Sequence, residues 1–162
     1  MQRLFIGVPL PDNYHQQIAE LRREWGRRLD GVKVTWTKPG NGHVTLVFLG
    51  DVEEARLDDV QAALEQVSFA PFTLQAGAGG LFPPQGMPRV LWAGLAQGAD
   101  ACAQLARQVR ASLKRSDENK PYNPHITLAR IRALPKSFMT SAQNPLPEIL
   151  QALHAQAWPA FT

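Results

Sequence analysis

One order of elements runs through this chain twice: strand, helix, proline-containing loop, His-x-Thr-Leu strand, helix. A repeat of this kind constrains a fold more than composition does, because one copy cannot bury its apolar face alone and must pack on the other. In the first copy, residues 3–8 read as a strand. A helix follows Pro11 through about residue 29, with Ile18, Leu21, Trp25 and Leu29 at helical spacing. Residues 32–36 are extended, and Pro39-Gly40-Asn41-Gly42 is a turn that delivers His43-Val44-Thr45-Leu46. That strand reaches residue 49, and a helix over 53–67 carries Leu57, Val60, Leu64 and Val67. Residues 72–76 and 80–82 read as extended, and 83–88 as a loop.

The second copy opens with a strand at 90–95. A helix over 99–114 places Leu105, Val109 and Leu113 on one face. Pro121 and Pro124 frame a loop before His125-Ile126-Thr127-Leu128, whose strand runs to residue 131, and a helix covers 145–155. The expectation is one α+β domain over residues 1–162. It is bilobed, with two pseudo-symmetric lobes intertwined in sequence, each a small, mostly antiparallel sheet with outer helices, around a central cleft. Symmetry also matches Ala70-Pro71-Phe72-Thr73, which leads into a strand, with Trp158-Pro159-Ala160-Phe161-Thr162. A further strand is therefore expected beyond Thr162. Without it the sheet keeps an open edge that another chain can pair with; otherwise a monomer is expected.

Composition narrows the setting. At 162 residues, 44% hydrophobic and 19% charged, the chain suits one soluble globular core. The net charge of +3 suits an anionic ligand without demanding one. Arg22, Arg23, Arg27 and Arg28 read better as a solvated helix face than as a nucleic-acid site. The lone Cys102 forms no internal disulfide, reads as a small buried residue, and fits a reducing cytoplasm. The apolar start is short and broken by Pro9 and Pro11, a strand rather than a membrane anchor.

The chemistry sits in the doubled motif. Residues i and i+2 of a strand share a face, so each copy offers one imidazole and one hydroxyl to the same side. Imidazole titrates close to neutrality, so one His acts as base while its partner acts as acid. Two of them flanking a phosphodiester supply what in-line displacement needs, each role contributing about 10²–10⁴-fold in rate. The Thr hydroxyls donate to phosphoryl oxygens where charge builds. A metal site is disfavoured: His15 and His154 lie on helices with no spaced partner, and neither His-Glu-x-x-His nor a Cys pair occurs.

The doubled motif resembles the 2H phosphoesterase superfamily. Asn41-Gly42-His43-Val44-Thr45-Leu46-Val47-Phe48-Leu49-Gly50 and Pro124-His125-Ile126-Thr127-Leu128-Ala129-Arg130 resemble its RNA 2′,3′-cyclic phosphodiesterase branch, also called 2′-5′ RNA ligase. The opening residues 3–8 fit the same branch. The resemblance implies hydrolysis of a terminal ribose 2′,3′-cyclic phosphate to a 2′-phosphate, with no metal and no cofactor. It also implies reversible, ATP-independent 2′-5′ ligation. By the same resemblance His43 is the proton donor to O3′, His125 the proton acceptor from water, Thr45 and Thr127 bind the phosphate, and Arg130 helps hold substrate. The near-symmetric halves do not by themselves separate acid from base. Strand parity points Arg130 and Phe48 away from the His face, so Arg130 requires a twist or bulge, and Phe48 reads as core in preference to a ring that stacks on a base. The implied partners are RNA ends or small nucleotides. Open alternatives are the same chemistry on small cyclic nucleotides or 2′-5′ oligonucleotides, and a catalytically weak RNA- or nucleotide-binding module.

Overall fold

The computed structural model describes residues 1–29, 31–115, 121–139 and 144–162. Its strands are β1 (Gln2–Pro9), β2 (Lys33–Trp36), β3 (His43–Val52), β4 (Gln75–Phe82), β5 (Val90–Gln97) and β6 (His125–Ala133). Its helices are α1 (Asp12–Trp25), α2 (Leu57–Glu65), α3 (Ala99–Ser112), α4 (Lys136–Met139) and α5 (Leu146–Ala155). Each long helix forms where apolar side chains recur every three or four residues. Tyr14, Ile18, Leu21 and Trp25 line the buried face of α1, Cys102, Leu105, Ala106 and Val109 that of α3, and Leu146, Ile149 and Leu153 that of α5. Arg22, Arg23, Arg27 and Arg28 are exposed, as the solvated-face reading requires, and Arg28 pairs with Glu148 of α5 at 2.6 Å.

The expectation of two sheets is corrected. All strands belong to one six-stranded sheet in the order β1-β3-β6-β5-β4, with β2 also pairing β6, antiparallel throughout. The two halves fuse because β3 and β6, the two motif strands, pair directly at Val44 and Ile126. Those residues hold the same place in their motifs, so the repeat's pseudo-twofold axis passes between them. Beyond that single pair β6 finds β2 instead, from Trp36 opposite Ala129 to Lys33 opposite Ala133.

Smaller differences have local causes. The first helix ends at Trp25 rather than at residue 29, and turns carry the buried Leu29 onward. The helix expected over 53–67 begins as a 3-10 turn over Glu54–Arg56, and α2 after it buries no residue fully. The two extended pieces at 72–76 and 80–82 are mainly one strand, because Gly79 and Gly80 pair with Ala93 and Trp92 and the register shift between Ala76 and Gly79 does not end the ladder. The short α4 carries too little periodicity to announce itself.

Helices from one half reach the other. α3, which follows β5, packs on β3. Tyr14 of α1 is fully buried, donates to the Pro159 carbonyl at 2.6 Å and accepts from the Ala76 amide of β4 at 2.9 Å. The chain end docks there: the Tyr14 ring lies 5.0 Å from both Trp158 and Phe161, and Phe161 pairs antiparallel with Leu74. Cys102 is fully buried, as expected. No helix of the described residues is long and apolar enough to cross a membrane.

Candidate active site

Alternation along the two motif strands decides what faces the site. Val44, Leu46, Ile126 and Leu128 are buried in the core, whereas His43, Thr45, His125 and Thr127 are half-buried on the opposite face. Continuing the Val44–Ile126 register by one residue each way sets His43 opposite Thr127 and Thr45 opposite His125. The two imidazoles and the two hydroxyls therefore share one face of the paired strands beside that contact.

Each imidazole is oriented by the turn that precedes it. His43 Nδ1 lies 2.8 Å from the Asn41 carbonyl oxygen, and His125 Nδ1 lies 2.8 Å from that of Asn123. A carbonyl only accepts, so Nδ1 carries hydrogen in both rings, and the neutral ring keeps its lone pair on Nε2. An aromatic ring from the neighbouring strand braces each imidazole. Phe5 of β1 stacks on His43 at 4.1 Å and 20°, and Trp92 of β5 meets His125 edge-on at 6.2 Å. Gly7 makes the first stack possible: a Cβ there would stand 3.2 Å from Phe5 Cε2 and 3.4 Å from His43 Cδ2.

The parity argument against Arg130 is resolved by a bulge. Along β5, Trp92 pairs with Thr127 but Leu91 with Ala129, so Leu128 is an extra residue. Leu128 and Ala129 are both buried, and Arg130 returns exposed to the face of His125. The same device occurs in β3, where Gly7 pairs with Thr45 but Ile6 with Val47, making Leu46 the extra residue. Phe48 is thereby turned out, 50% exposed, which corrects its assignment to the core. Arg3 of β1 sets its guanidinium over the Phe48 ring, 5.1 Å from the centroid.

A reciprocal brace joins the halves where the β3–β6 ladder lapses. Tyr122, in the loop before His125, donates its hydroxyl to the Thr45 carbonyl at 2.9 Å. Thr37, on the way to His43, donates to the Thr127 carbonyl at 2.7 Å. Burial raises the Tyr122 pKa above the ordinary phenol value, so its hydroxyl stays a donor. Sequence reasoning passed over Thr37, Tyr122, Phe5 and Trp92, whose roles come only from pairing across the repeat. His15 and His154 stand apart from the site, His15 on α1 under Gly42 and His154 in the last turn of α5. Among the described residues no three of His, Cys, Asp and Glu gather to hold a metal ion.

The family model described as LigT like Phosphoesterase matches residues 8–92 and 94–160, one His-x-Thr motif in each span. The chain belongs to the LigT-like phosphoesterases. Within this family it is 33% identical over 132 residues to the RNA 2′,3′-cyclic phosphodiesterase of Archaeoglobus fulgidus, covering 80% of this chain and 73% of that one. The enzyme of the same name from Aquifex aeolicus is 32% identical over 137 residues, covering 81% and 71%. Among solved structures, Escherichia coli LigT complexed with 3′-AMP superimposes with a TM-score of 0.66 at 30% identity, covering 80% of this chain and 72% of that one.

Proposed function

We propose that this LigT-like phosphoesterase opens the 2′,3′-cyclic phosphate at an RNA end, leaving a 2′-phosphate. The observation that carries the reading is the Val44–Ile126 pairing, which brings the two His-x-Thr strands side by side with both imidazoles and both hydroxyls half-buried. The names of its relatives supply the substrate. His125 Nε2 takes a proton from water as the water oxygen attacks phosphorus. The P–O3′ bond breaks, and His43 Nε2 gives its proton to O3′. Thr45 and Thr127 donate to the remaining phosphoryl oxygens, and Arg130 neutralises their charge. Acid, base and hydrogen-bond donors are all side chains, so no metal or cofactor is assigned a step. With a ribose 5′-hydroxyl in place of water, the same steps join two RNA ends through a 2′-5′ linkage.

A second substrate class has a specific observation behind it. Solved structures of the E. coli relative hold 3′-AMP and ATP. Nucleotides of that size in the relative favour small cyclic nucleotides as the second substrate class here.

The test is product identity. The full chain is incubated in EDTA with an RNA ending in 2′,3′-cyclic phosphate, and the end group is determined. A 2′-phosphate supports the mechanism. A 3′-phosphate reverses the bond broken, and binding without turnover leaves a recognition module. His43→Ala and His125→Ala each lower kcat by about 10²–10⁴-fold, and full activity in either removes that His from the reaction.

A further inference from the structure

Both imidazoles are oriented by the same device, an asparagine carbonyl two residues upstream that lies 2.8 Å from Nδ1. The residue between asparagine and histidine differs. It is Pro124 in the second half and Gly42 in the first. A proline ring fixes its own φ and restricts the residue before it. Asn123 and His125 are therefore held in place by the chain itself. Glycine does the opposite, since no residue has more backbone freedom. The turn before His43 also contains Gly40, with φ 84°. Nothing covalent aims the Asn41 carbonyl at His43, yet the two hydrogen bonds have the same length.

What steadies the first turn comes from α1. Gly42 is buried although its neighbour Asn41 is exposed. A Cβ on Gly42 would stand 2.8 Å from Leu10 Cδ1, 3.0 Å from His15 Nε2 and 3.1 Å from His15 Cδ2. The His15 imidazole thus fills the space that a side chain at 42 would take. It is 11% exposed, and Nε2 is buried with no hydrogen-bond partner among the described residues. Its Nδ1 lies 3.9 Å from a carboxylate oxygen of Asp12, whose side chain is wholly exposed. The ring therefore meets Gly42 by shape and not through a hydrogen bond. It stands on a firm base. Tyr14, the residue before it, is bonded to Pro159 and Ala76, and the Leu10 amide donates to the Gly42 carbonyl at 3.1 Å.

We infer that His15 is the positioning residue of His43: seated against Gly42, its ring does from α1 what the Pro124 ring does within the chain of the other half, and so keeps the Asn41 carbonyl on His43 Nδ1. His15 lies behind the turn and acts only through it. The inference rests on the phosphodiesterase reading for the use made of His43, and adds to it a support that only one of the two half-sites needs. Because the support is steric, an imidazole at 15 and a ring at 42 exclude each other.

The experiment is a double-mutant cycle, read by kcat and KM on adenosine 2′,3′-cyclic phosphate beside a thermal melt. His15→Ala empties the space and lowers kcat about tenfold with KM nearly unchanged, since His43 serves the chemical step. Gly42→Pro alone drives its ring into the imidazole and lowers kcat as well. The pair His15→Ala/Gly42→Pro copies the second half and returns kcat close to the wild-type value, a reversal that independent sites do not show. If the pair does not fold, His15→Ala/Gly42→Leu refills the same space and takes its place. His15→Leu keeps the volume, drops the ring nitrogens and retains kcat. Additive losses in the pair, or a His15→Ala enzyme that melts earlier but turns over at the full rate, overturn the inference. If the wild-type chain opens no cyclic phosphate, the phosphodiesterase reading fails by itself, and proton NMR decides the support. The Nδ1–H of His43 then exchanges with water faster in His15→Ala than in wild type, while that of His125 is unchanged. Equal behaviour of the two protons in that variant overturns the inference.

Discussion

Removing one hydroxyl, Tyr122→Phe, separates what positions this site from what merely holds the fold. The phenol spans the gap between the halves and donates to the Thr45 carbonyl at 2.9 Å, next to a β3–β6 ladder of one residue pair. The phenyl ring left behind keeps the packing, so the loss is one hydrogen bond and one half-buried carbonyl without its partner. That costs about 1–2 kcal/mol, within the range for such deletions. For a domain of this size the melting temperature falls by about 2–8 °C. The consequence for turnover is larger than that modest loss suggests. The brace sets how far apart the two His-x-Thr pairs sit, and a displacement approaching 1 Å in a reacting geometry costs up to about 10²-fold.

The assay is steady-state kinetics at 25 °C, where the variant is still folded, beside a thermal melt. The expected result is a kcat lowered about 10- to 100-fold with KM nearly unchanged. Tyr14→Phe is the control. It loses bonds to Pro159 and Ala76 away from the site, so it melts earlier and keeps its kcat. Thr37→Val removes the reciprocal bond to Thr127, and combined with Tyr122→Phe it falls short of additivity, since either change alone already frees the halves. A Tyr122→Phe enzyme that melts early but turns over at the full rate refutes the reasoning and leaves the brace purely structural.

The remaining expectations concern the ring contacts, the proton balance and the buried thiol. Gly7→Ala drives a methyl against the Val44 carbonyl, Phe5 and His43; kcat falls about tenfold as the imidazole is pushed aside, and an unchanged kcat would show that the stack is slack. The kcat/KM profile is bell-shaped between pH 5 and 9, because one imidazole must be charged while the other is neutral; a flat profile contradicts the pair. Burial pushes the Cys102 thiol up from 9.0 to about 11. The native state therefore holds that proton longer than the unfolded chain does. The resulting stability is full below pH 9 and is lost as pH rises toward 11, by about 2–3 kcal/mol at most. Urea midpoints of wild type and Cys102→Ala across that window check it, parallel curves counting against it, and iodoacetamide at pH 8 leaves the native thiol unmodified.

Helix faces were legible because burial of a helix stripe depends on spacing alone: Ile18, Leu21 and Trp25 lie in the core where their period puts them. Sheet partition was not. Two repeats can close two small sheets or share one, and the choice turns on whether the motif strands pair with each other. That contact joins residues 82 positions apart at Val44 and Ile126, and no local pattern encodes it. The glycines between residues 77 and 80 misled for a related reason. They weaken a strand taken alone, yet they suit one on which a neighbouring side chain lies flat, as Trp92 does on Gly80.

At the site, the four motif side chains followed from parity, and parity then failed at Arg130 and Phe48. Yet the signal for the failure is in the letters. Along both motifs the order is polar, apolar, polar, then two apolar residues in succession, Leu46-Val47 and Leu128-Ala129, before Phe48 and Arg130. A regular strand cannot bury two consecutive side chains on one face, so a doubled apolar step amid strict alternation marks an inserted residue and a reversal of faces beyond it. Had the reversal been taken from that step, Phe48 and Arg130 would both have joined the His face, and their unlike chemistry would have stood out at equivalent places. Duplication supplies the twin imidazoles that acid–base displacement requires. The bulge in each motif strand is what leaves a phenyl ring, in one half, at the place a guanidinium takes in the other.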